Sequence, residues 1–264
     1  MLNMGWRQYE HLTDDIKNAL FKASLAPVFR KINSSKSLNK SGVLPKRVII
    51  CGSPRSGTTL MNELMRCYSD TFVMNREELA LRFPYLLVKE KYIVTKHPLD
   101  FSNLDEIIDT FDEPFIIFLQ RDPRDVIVSR HYTNKDRYLV NFPLWKKAIN
   151  AFDGLDYENK ILVRYEKLIE NPYNIQLKIA DRLKVRVSAE FGDFYMKTDK
   201  KHQDIKSLGG IRPIDPNNRG KHMQEQHRDR IREQLKRFPE LSDYLIKYGY
   251  EKDREWETHF SPNP

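Results

Sequence analysis

The segment Arg47–Met65 constrains the fold of this chain more than any other part of the sequence. Its first residues, with the sequence VIICG, are small or apolar without interruption, which predicts a parallel strand covered on both faces. Pro54 and Gly57 then predict a tight turn, and the apolar spacing from Thr58 onward predicts a helix. A strand, loop and helix in this order direct backbone N–H groups and the positive end of a helix dipole at one point. We therefore expect an anion to bind there.

The loop of this segment differs from the loop that binds ATP or GTP. That loop has the pattern G-x-x-x-x-G-K-[S/T], in which the lysine reaches the terminal phosphates. Gly52 and Gly57 have the separation of its two glycines, but Thr58 occupies the lysine position. The cation of the loop is instead Arg55, which precedes Ser56. A P-loop nucleotide or small-molecule kinase is thus an alternative that the missing lysine disfavours.

A second buried strand is also followed by a basic and a hydroxyl side chain. Phe115–Leu119 is uniformly apolar, and the Asp-Pro pair shortly after it predicts the start of a helix. Arg121 follows the strand, and Ser129 is expected on that helix. Ligands of open α/β sheets bind beyond the carboxyl ends of the strands. A guanidinium group and a hydroxyl group at this place suit a second phosphate group.

Together these segments resemble the sulfotransferase family that uses 3′-phosphoadenosine 5′-phosphosulfate (PAPS). The first signature of that family, P-x-S-G-T-T after a strand, is matched by Pro54–Thr59. The second, R-x-P-x-D-x-x-x-S, is matched by Arg121–Ser129, and a third, Y-E-x-L-x-x-N-P, by Tyr165–Pro172. The resemblance covers the chain from about Arg47 to Tyr250.

The resemblance implies an α/β fold with one domain, in which helices flank a central parallel β-sheet as in P-loop NTPases. The alternation of predicted strands and helices agrees with such a sheet. A chain of 264 residues suits one domain of this kind. We expect an N-terminal helical segment and linker at residues 1–45, followed by the sulfotransferase domain at residues 46–264.

The resemblance also implies which residues hold PAPS and its product, adenosine 3′,5′-bisphosphate (PAP). The loop would hold the 5′-phosphate, and the second segment the 3′-phosphate that distinguishes this donor from ATP. Tyr165 either reaches the adenine or packs on the sheet, and Arg219-Gly220-Lys221 resembles a late R-K-G segment in permuted order, with Arg212 a further basic candidate. The implied cofactor-binding residues are Arg55, Ser56, Gly57, Thr58, Thr59, Arg121, Ser129, Tyr165, Arg219 and Gly220.

The sequence of the loop, PRSGTTLM, most resembles that of the tyrosylprotein sulfotransferases and their bacterial relatives. In the G-E-E segment of that branch the second glutamate is the proposed base, and this glutamate corresponds to Glu78. Lys96 resembles the lysine that contacts the transferred group, and Arg55 would stabilise the leaving oxygen. His97 is the alternative base, with the more suitable intrinsic pKa, but it lies one position away from the pattern of the cytosolic enzymes. We prefer Glu78.

Composition and residue patterns indicate which kinds of partner this protein has. The formal charge of +8 favours anionic ligands, but the 45 basic and 37 acidic residues are well mixed, so no nucleic-acid partner is expected. The residue patterns indicate no metal site. We expect Cys51 and Cys67 to be small buried residues that form no disulfide. Neither a transmembrane run nor a secretory signal is evident, so we expect a cytoplasmic protein without a membrane anchor.

The expected reaction is therefore the transfer of a sulfuryl group from PAPS to an acceptor hydroxyl by in-line displacement. A carbohydrate or small metabolite is the favoured acceptor, while a lipid-linked sugar, a peptide tyrosine and another small alcohol stay open. A non-catalytic protein that binds adenosine bisphosphate is a further alternative. The sequence does not indicate the oligomeric state.

Overall fold

A computed structural model describes residues 44–82, 88–130, 137–198 and 209–260. The predicted N-terminal helical segment and nearly all of the linker lie outside these residues. Within them, no helix combines the length and the apolar character that crossing a membrane requires. The domain boundary near residue 45 stays a prediction.

Five parallel strands form the centre of the fold. They are β1 (Lys46–Gly52), β2 (Thr71–Val73), β3 (Tyr92–Lys96), β4 (Phe115–Gln120) and β5 (Lys160–Arg164). Their order in the sheet is β2-β3-β1-β4-β5, so β1 lies in the middle. Every residue of β3 and β4 is buried, as expected for parallel strands covered on both faces. The predicted parallel α/β sheet is confirmed, although β2 is too short to have been recognised.

Eight α-helices surround the sheet in the described residues. They are α1 (Thr58–Leu64), α2 (Leu104–Thr110), α3 (Pro123–Ile127), α4 (Phe142–Asp153), α5 (Tyr165–Glu170), α6 (Pro172–Leu183), α7 (Arg228–Arg237) and α8 (Leu241–Lys247). Short 3₁₀ turns span Met65–Cys67, Ala80–Arg82, Pro98–Asn103, Phe191–Met196, Lys221–Met223, Glu225–His227 and Glu255–Phe260. Helix α3 begins as predicted, because Pro123 occupies its first turn and the Asp122 side chain accepts the Arg124 N–H at 2.8 Å. Ser129, however, lies just beyond the end of α3 rather than on it.

The hydrophobic core has two main parts, one on each face of the sheet. Leu64, Leu168 and Ile179 belong to one part, and Ile127, Trp145 and Leu245 belong to the other. Cys67 lies in the first part and Cys51 in the second, and both thiols are free and buried. The interpretation of the cysteines as buried residues without a disulfide is confirmed.

The strand register brings the carboxyl ends of three strands together. Ile50 of β1 pairs with Lys96 of β3, and Gly52 pairs with Leu119 of β4. The loop after β1 therefore lies between the residues that follow β3 and those that follow β4. This edge of the sheet carries the three predicted groups of site residues.

Candidate active site

The loop after β1 has a backbone that only glycine fits at two positions. Gly52 has φ 143° and Gly57 has φ 102°, both in the region that L side chains rarely adopt. A Cβ atom on Gly52 would lie 2.4 Å from the carbonyl oxygen of Leu119. Arg55, between them, has φ 71° although it is not a glycine. Strained backbone of this kind is found at ligand-binding sites, where the surrounding structure maintains it.

Three polar atoms around this loop are buried without a hydrogen-bond partner among the described residues. They are Nε of Arg55, Oγ of Ser56 and Nε of Arg121. Buried donors are nearly always satisfied in native proteins, because an unpaired one costs about 1–3 kcal/mol. These three atoms belong to residues predicted to bind phosphate groups, while other such atoms in the described residues lie elsewhere, as on Asn62 and Trp256. The arrangement of the three atoms fits an anionic ligand.

Arg121 is held by three contacts at the end of β4. Its Nη2 donates to Oδ2 of Asp125 at 3.2 Å and to the carbonyl oxygen of Asn218 at 2.9 Å. Its guanidinium group lies 4.2 Å from the centre of the Tyr165 ring. The Tyr165 hydroxyl in turn accepts a hydrogen bond of 2.7 Å from Nδ2 of Asn218. A Cβ atom on Gly57 would lie 2.5 Å from Cδ2 of the same ring, so Tyr165 packs between the loop and Arg121.

Asp125 attaches the late basic segment to α3. Its carboxylate accepts hydrogen bonds from the backbone N–H of Gly220 at 2.8 Å and of His222 at 3.1 Å, and it contacts Nδ1 of His222 at 2.7 Å. Burial alone would raise the pKa of Asp125, but the bonds from His222 and the charge of Arg121 hold this pKa well below its usual value. Ser129 is close by, and its Oγ donates to the Asp125 carbonyl oxygen at 2.9 Å.

Positive charge accumulates around this part of the site. Burial and the charge of Arg121 lower the pKa of Arg55. Burial also lowers the pKa of Lys221, and the charges of Arg121, Arg55 and Arg212 add to that effect while Asp125 opposes it. Several cations thus repel one another around one carboxylate, which favours a multiply charged anion in their midst.

The exposed Arg219 lies near a different charge. Hydrogen bonding from Lys167, and to a smaller extent the charge of Arg219, lower the pKa of the exposed Glu170 at the end of α5. In the late segment, Lys221 is the residue whose pKa is lowered by the charges of Arg121 and Arg55, after the larger effect of burial.

A third group of residues lies at the end of β3. Lys96, with 1% of its side chain exposed, forms an ion pair with Glu77, whose side chain is 40% exposed. Nε2 of His97 lies 3.8 Å from the other Glu77 oxygen, and its Nδ1 accepts the Leu99 N–H at 3.2 Å. Burial lowers the pKa of His97; the charge of Lys96 adds to this, whereas Glu77 and Glu78 oppose it. Glu78 is half-buried beside this group.

Asp100 fastens the glutamate-bearing segment to the turn after β3. Both of its carboxylate oxygens accept the Ala80 N–H, at 3.2 and 3.3 Å. Complete burial raises the pKa of Asp100 to about 7, although the Ala80 N–H opposes this rise, and the charge of Glu77 adds to it. Asp100 therefore helps to place the segment that carries the two glutamates.

Five residues to which the sequence assigned no role structure this site: Asp125, Asn218, Lys221, Glu77 and Asp100. Asp125 lies within a recognised signature, Lys221 within the late segment and Glu77 within the segment that resembles G-E-E, so a signal existed for these three. The contacts of Asn218 and Asp100 depend on chain segments that meet only in the folded protein. No group of three or more His, Cys, Asp or Glu side chains that could hold a metal ion occurs within the described ranges.

The fold and the loop define a class of protein: an α/β protein with a P-loop-like loop that contains an arginine and has no lysine after its second glycine. Residues 45–206 match the family model described as the sulfotransferase domain. The chain belongs to the sulfotransferase family. No curated protein matches its sequence.

Two solved structures support the fold. The sulfotransferase domain from the Synechococcus PCC 7002 olefin synthase is 18% identical with a TM-score of 0.53, over 70% of this chain and 90% of that one. The sulfotransferase domain from the curacin biosynthetic pathway is also 18% identical, with a TM-score of 0.51, over 73% of this chain and 98% of that one. At this identity the likeness concerns the fold. Sulfotransferase activity is supported by the family match.

Proposed function

We propose that this protein transfers a sulfuryl group from PAPS to a hydroxyl group of an acceptor. One observation carries the proposal: the edge of the sheet presents three groups of residues in a row, at the ends of β4, β1 and β3. The first two groups contain the buried, unsatisfied atoms of Arg55, Ser56 and Arg121. An adenosine 3′,5′-bisphosphate fits them with one phosphate each, and a group attached to the 5′-phosphate then points toward β3.

We assign the two phosphate groups to different residues. The loop, with Arg55, Ser56 and the backbone of Gly57, Thr58 and Thr59, binds the 5′-phosphate. Arg121 and Ser129 bind the 3′-phosphate, together with the late segment. In that segment we favour Lys221 over the predicted Arg219, because the charges of Arg121 and Arg55 act on Lys221 whereas the charge of Arg219 acts on Glu170. Tyr165 holds the two phosphate sites at a fixed separation.

The reaction is a single displacement at sulfur. The acceptor oxygen forms a bond to sulfur while the bond from sulfur to the bridging oxygen of the 5′-phosphate breaks, and PAP leaves with that electron pair. Negative charge develops on the bridging oxygen, so fixed cations and backbone N–H groups of the loop stabilise the transition state. Arg55 stabilises this charge without giving up a proton, since a guanidinium group stays protonated. Lys96 binds the sulfuryl oxygens.

The proton of the acceptor hydroxyl goes to a carboxylate. Nδ1 of His97 already accepts a hydrogen bond from Leu99, so the neutral ring carries its proton on Nε2 and has no nitrogen available as a base. Glu78 is half-buried at the same end of β3 and stays the proposed base. His97 in this arrangement orients the turn after β3, where its side chain caps the turn that begins at Pro98.

Transfer of labelled sulfate from PAPS to pooled acceptors tests the proposal. Carbohydrates and small alcohols form the first pool, and tyrosine peptides and lipid-linked sugars form the others. Once an acceptor is identified, Glu78→Gln should lower the rate of sulfuryl transfer by about 10²–10⁴ and leave PAP affinity unchanged. Glu106→Gln, an exposed change on α2, is the control. Near-normal turnover by Glu78→Gln contradicts the base assignment, and PAP binding without transfer to any pool favours a non-catalytic binding protein.

A further inference from the structure

The ion pair between Lys96 and Glu77 joins a buried cation to a carboxylate that solvent reaches. Lys96 is held in place by β3, whose residues are all buried, whereas Glu77 lies outside any helix or strand. Water can solvate the Glu77 carboxylate when it leaves, whereas the buried Lys96 then needs another anion as its partner. Lys96 cannot be exposed in this way without distortion of the strand. Glu77 is thus the partner that can be exchanged.

Lys96 lies beside the position that we expect for the sulfuryl group. Lys96 pairs with Ile50 in the sheet, and the N–H of His97 donates to the Ile50 carbonyl oxygen at 3.2 Å. The end of β3 therefore lies directly beside β1, which leads into the anion-binding loop. A ligand with its phosphates at the ends of β4 and β1 extends any further group toward Lys96.

We propose that Glu77 competes with the sulfuryl group of PAPS for Lys96, and so acts as a specificity-determining residue that separates donor from product. This inference rests on the proposed function. Without ligand, Glu77 neutralises Lys96. When PAPS binds, the sulfuryl oxygens replace the Glu77 carboxylate, which moves into solvent. PAP has no sulfuryl group, so it leaves the ion pair intact.

The competition lowers the affinity for PAPS relative to the affinity for PAP. The ratio of the two affinities should therefore change when Glu77 loses its charge. PAPS and PAP carry about the same charge near neutral pH, so their affinity ratio reports the interaction at the sulfuryl position rather than overall electrostatics. Glu77→Gln removes the competing carboxylate and should tighten PAPS binding by about tenfold while PAP binding stays within about twofold. Glu106→Gln, the exposed change on α2, is the control with the same change in shape and charge, and it should leave the ratio unchanged.

The experiment is calorimetric titration of the full chain with PAPS and with PAP, without acceptor. Lys96→Met should abolish the effect, so that Glu77→Gln in that background no longer alters the ratio. The double variant also removes both charges together, which avoids a buried lysine without its counterion. If Glu77→Gln changes PAPS and PAP affinity equally, or changes neither, the competition is refuted. A wild-type chain that binds neither ligand refutes the proposed function itself.

Discussion

The ring of Tyr165 packs against Gly57 so closely that a Cβ atom at position 57 would lie 2.5 Å from its Cδ2. The same ring carries the guanidinium group of Arg121 on its face, 4.2 Å from the centroid. One aromatic side chain thus connects the anion-binding loop after β1 to the arginine after β4. By this contact Gly57 and Tyr165, far apart in sequence, would together set the distance between the two proposed phosphate positions.

Gly57→Ala should damage both stability and ligand binding. The methyl group collides with Tyr165, and alanine also has to adopt φ 102°. We expect a loss of about 1–3 kcal/mol in the free energy of unfolding and weakening of PAP binding by more than about tenfold. Urea unfolding and calorimetry measure the two effects. Gly192→Ala is the control, because nothing lies within 4 Å of a Cβ atom there; a similar loss in both variants would contradict the role of the contact.

Lys221→Gln and Arg219→Gln separate the two cations of the late segment. Both side chains are exposed, but the charges of Arg121, Arg55 and Arg212 act on Lys221, whereas the charge of Arg219 acts on Glu170. We expect Lys221→Gln to weaken PAP binding by about tenfold and Arg219→Gln to change it by less than about twofold. AMP affinity should respond weakly to both, since AMP lacks the 3′-phosphate. The reverse order of effects would restore Arg219 as the ligand.

Arg55→Gly should stabilise the protein and impair its function. Glycine adopts φ 71° without strain, and its introduction removes a buried cation that Arg121 repels. We expect a net gain of about 0.5–1 kcal/mol in the free energy of unfolding, together with weaker PAP binding. Arg55→Ala loses the same charge but keeps the backbone strain, so it should melt below Arg55→Gly by about 2–4 °C. Equal melting temperatures would show that φ at this position stores no strain.

Asp100→Asn should change how stability depends on pH. The pKa of Asp100 is raised to about 7 in the folded protein, whereas it lies near about 3.9 in an unfolded chain. The folded state therefore binds more protons between these values, so the wild type loses stability as pH rises from about 4 to 7, by at most about 4 kcal/mol.

Asparagine at position 100 accepts the Ala80 N–H without a charge and so avoids this loss. The stability advantage of Asp100→Asn over the wild type should thus grow from pH 5 to pH 8, as urea unfolding at the two pH values would show. An advantage that is the same at both pH values would contradict the raised pKa of Asp100.

Sequence predicted those parts of the fold that depend on local pattern. The apolar runs of β1 and β4 and the Asp-Pro start of α3 have periodicity or turn chemistry that neighbouring residues specify. Strand β2, with three residues, has too little pattern of its own and forms because it pairs with Tyr92–Val94 of β3. Helix α7 begins only at Arg228, since Glu225–His227 forms a separate 3₁₀ turn whose packing no local pattern specifies.

The candidate site also contains residues that local sequence predicts and residues whose roles depend on tertiary contacts. Arg55, Ser56 and Arg121 were found because they lie in short segments that adjoin strands. The ion pair of Lys96 with Glu77 could not be predicted, because it depends on the path of a segment without regular structure. Lys221 and Arg219 are likewise separated by one glycine with φ 71°, which turns the chain between them. Such differences between near neighbours arise from tertiary contacts.

Thermal stability with PAP, compared with AMP and with ATP plus magnesium, tests the central claim most directly. A ligand at about one hundred times its dissociation constant adds about 2.7 kcal/mol, which raises the melting temperature of a protein of this size by about 5–10 °C. We predict this shift with PAP and a much smaller one with AMP. A shift with magnesium ATP and none with PAP would contradict the account and indicate a kinase-like loop.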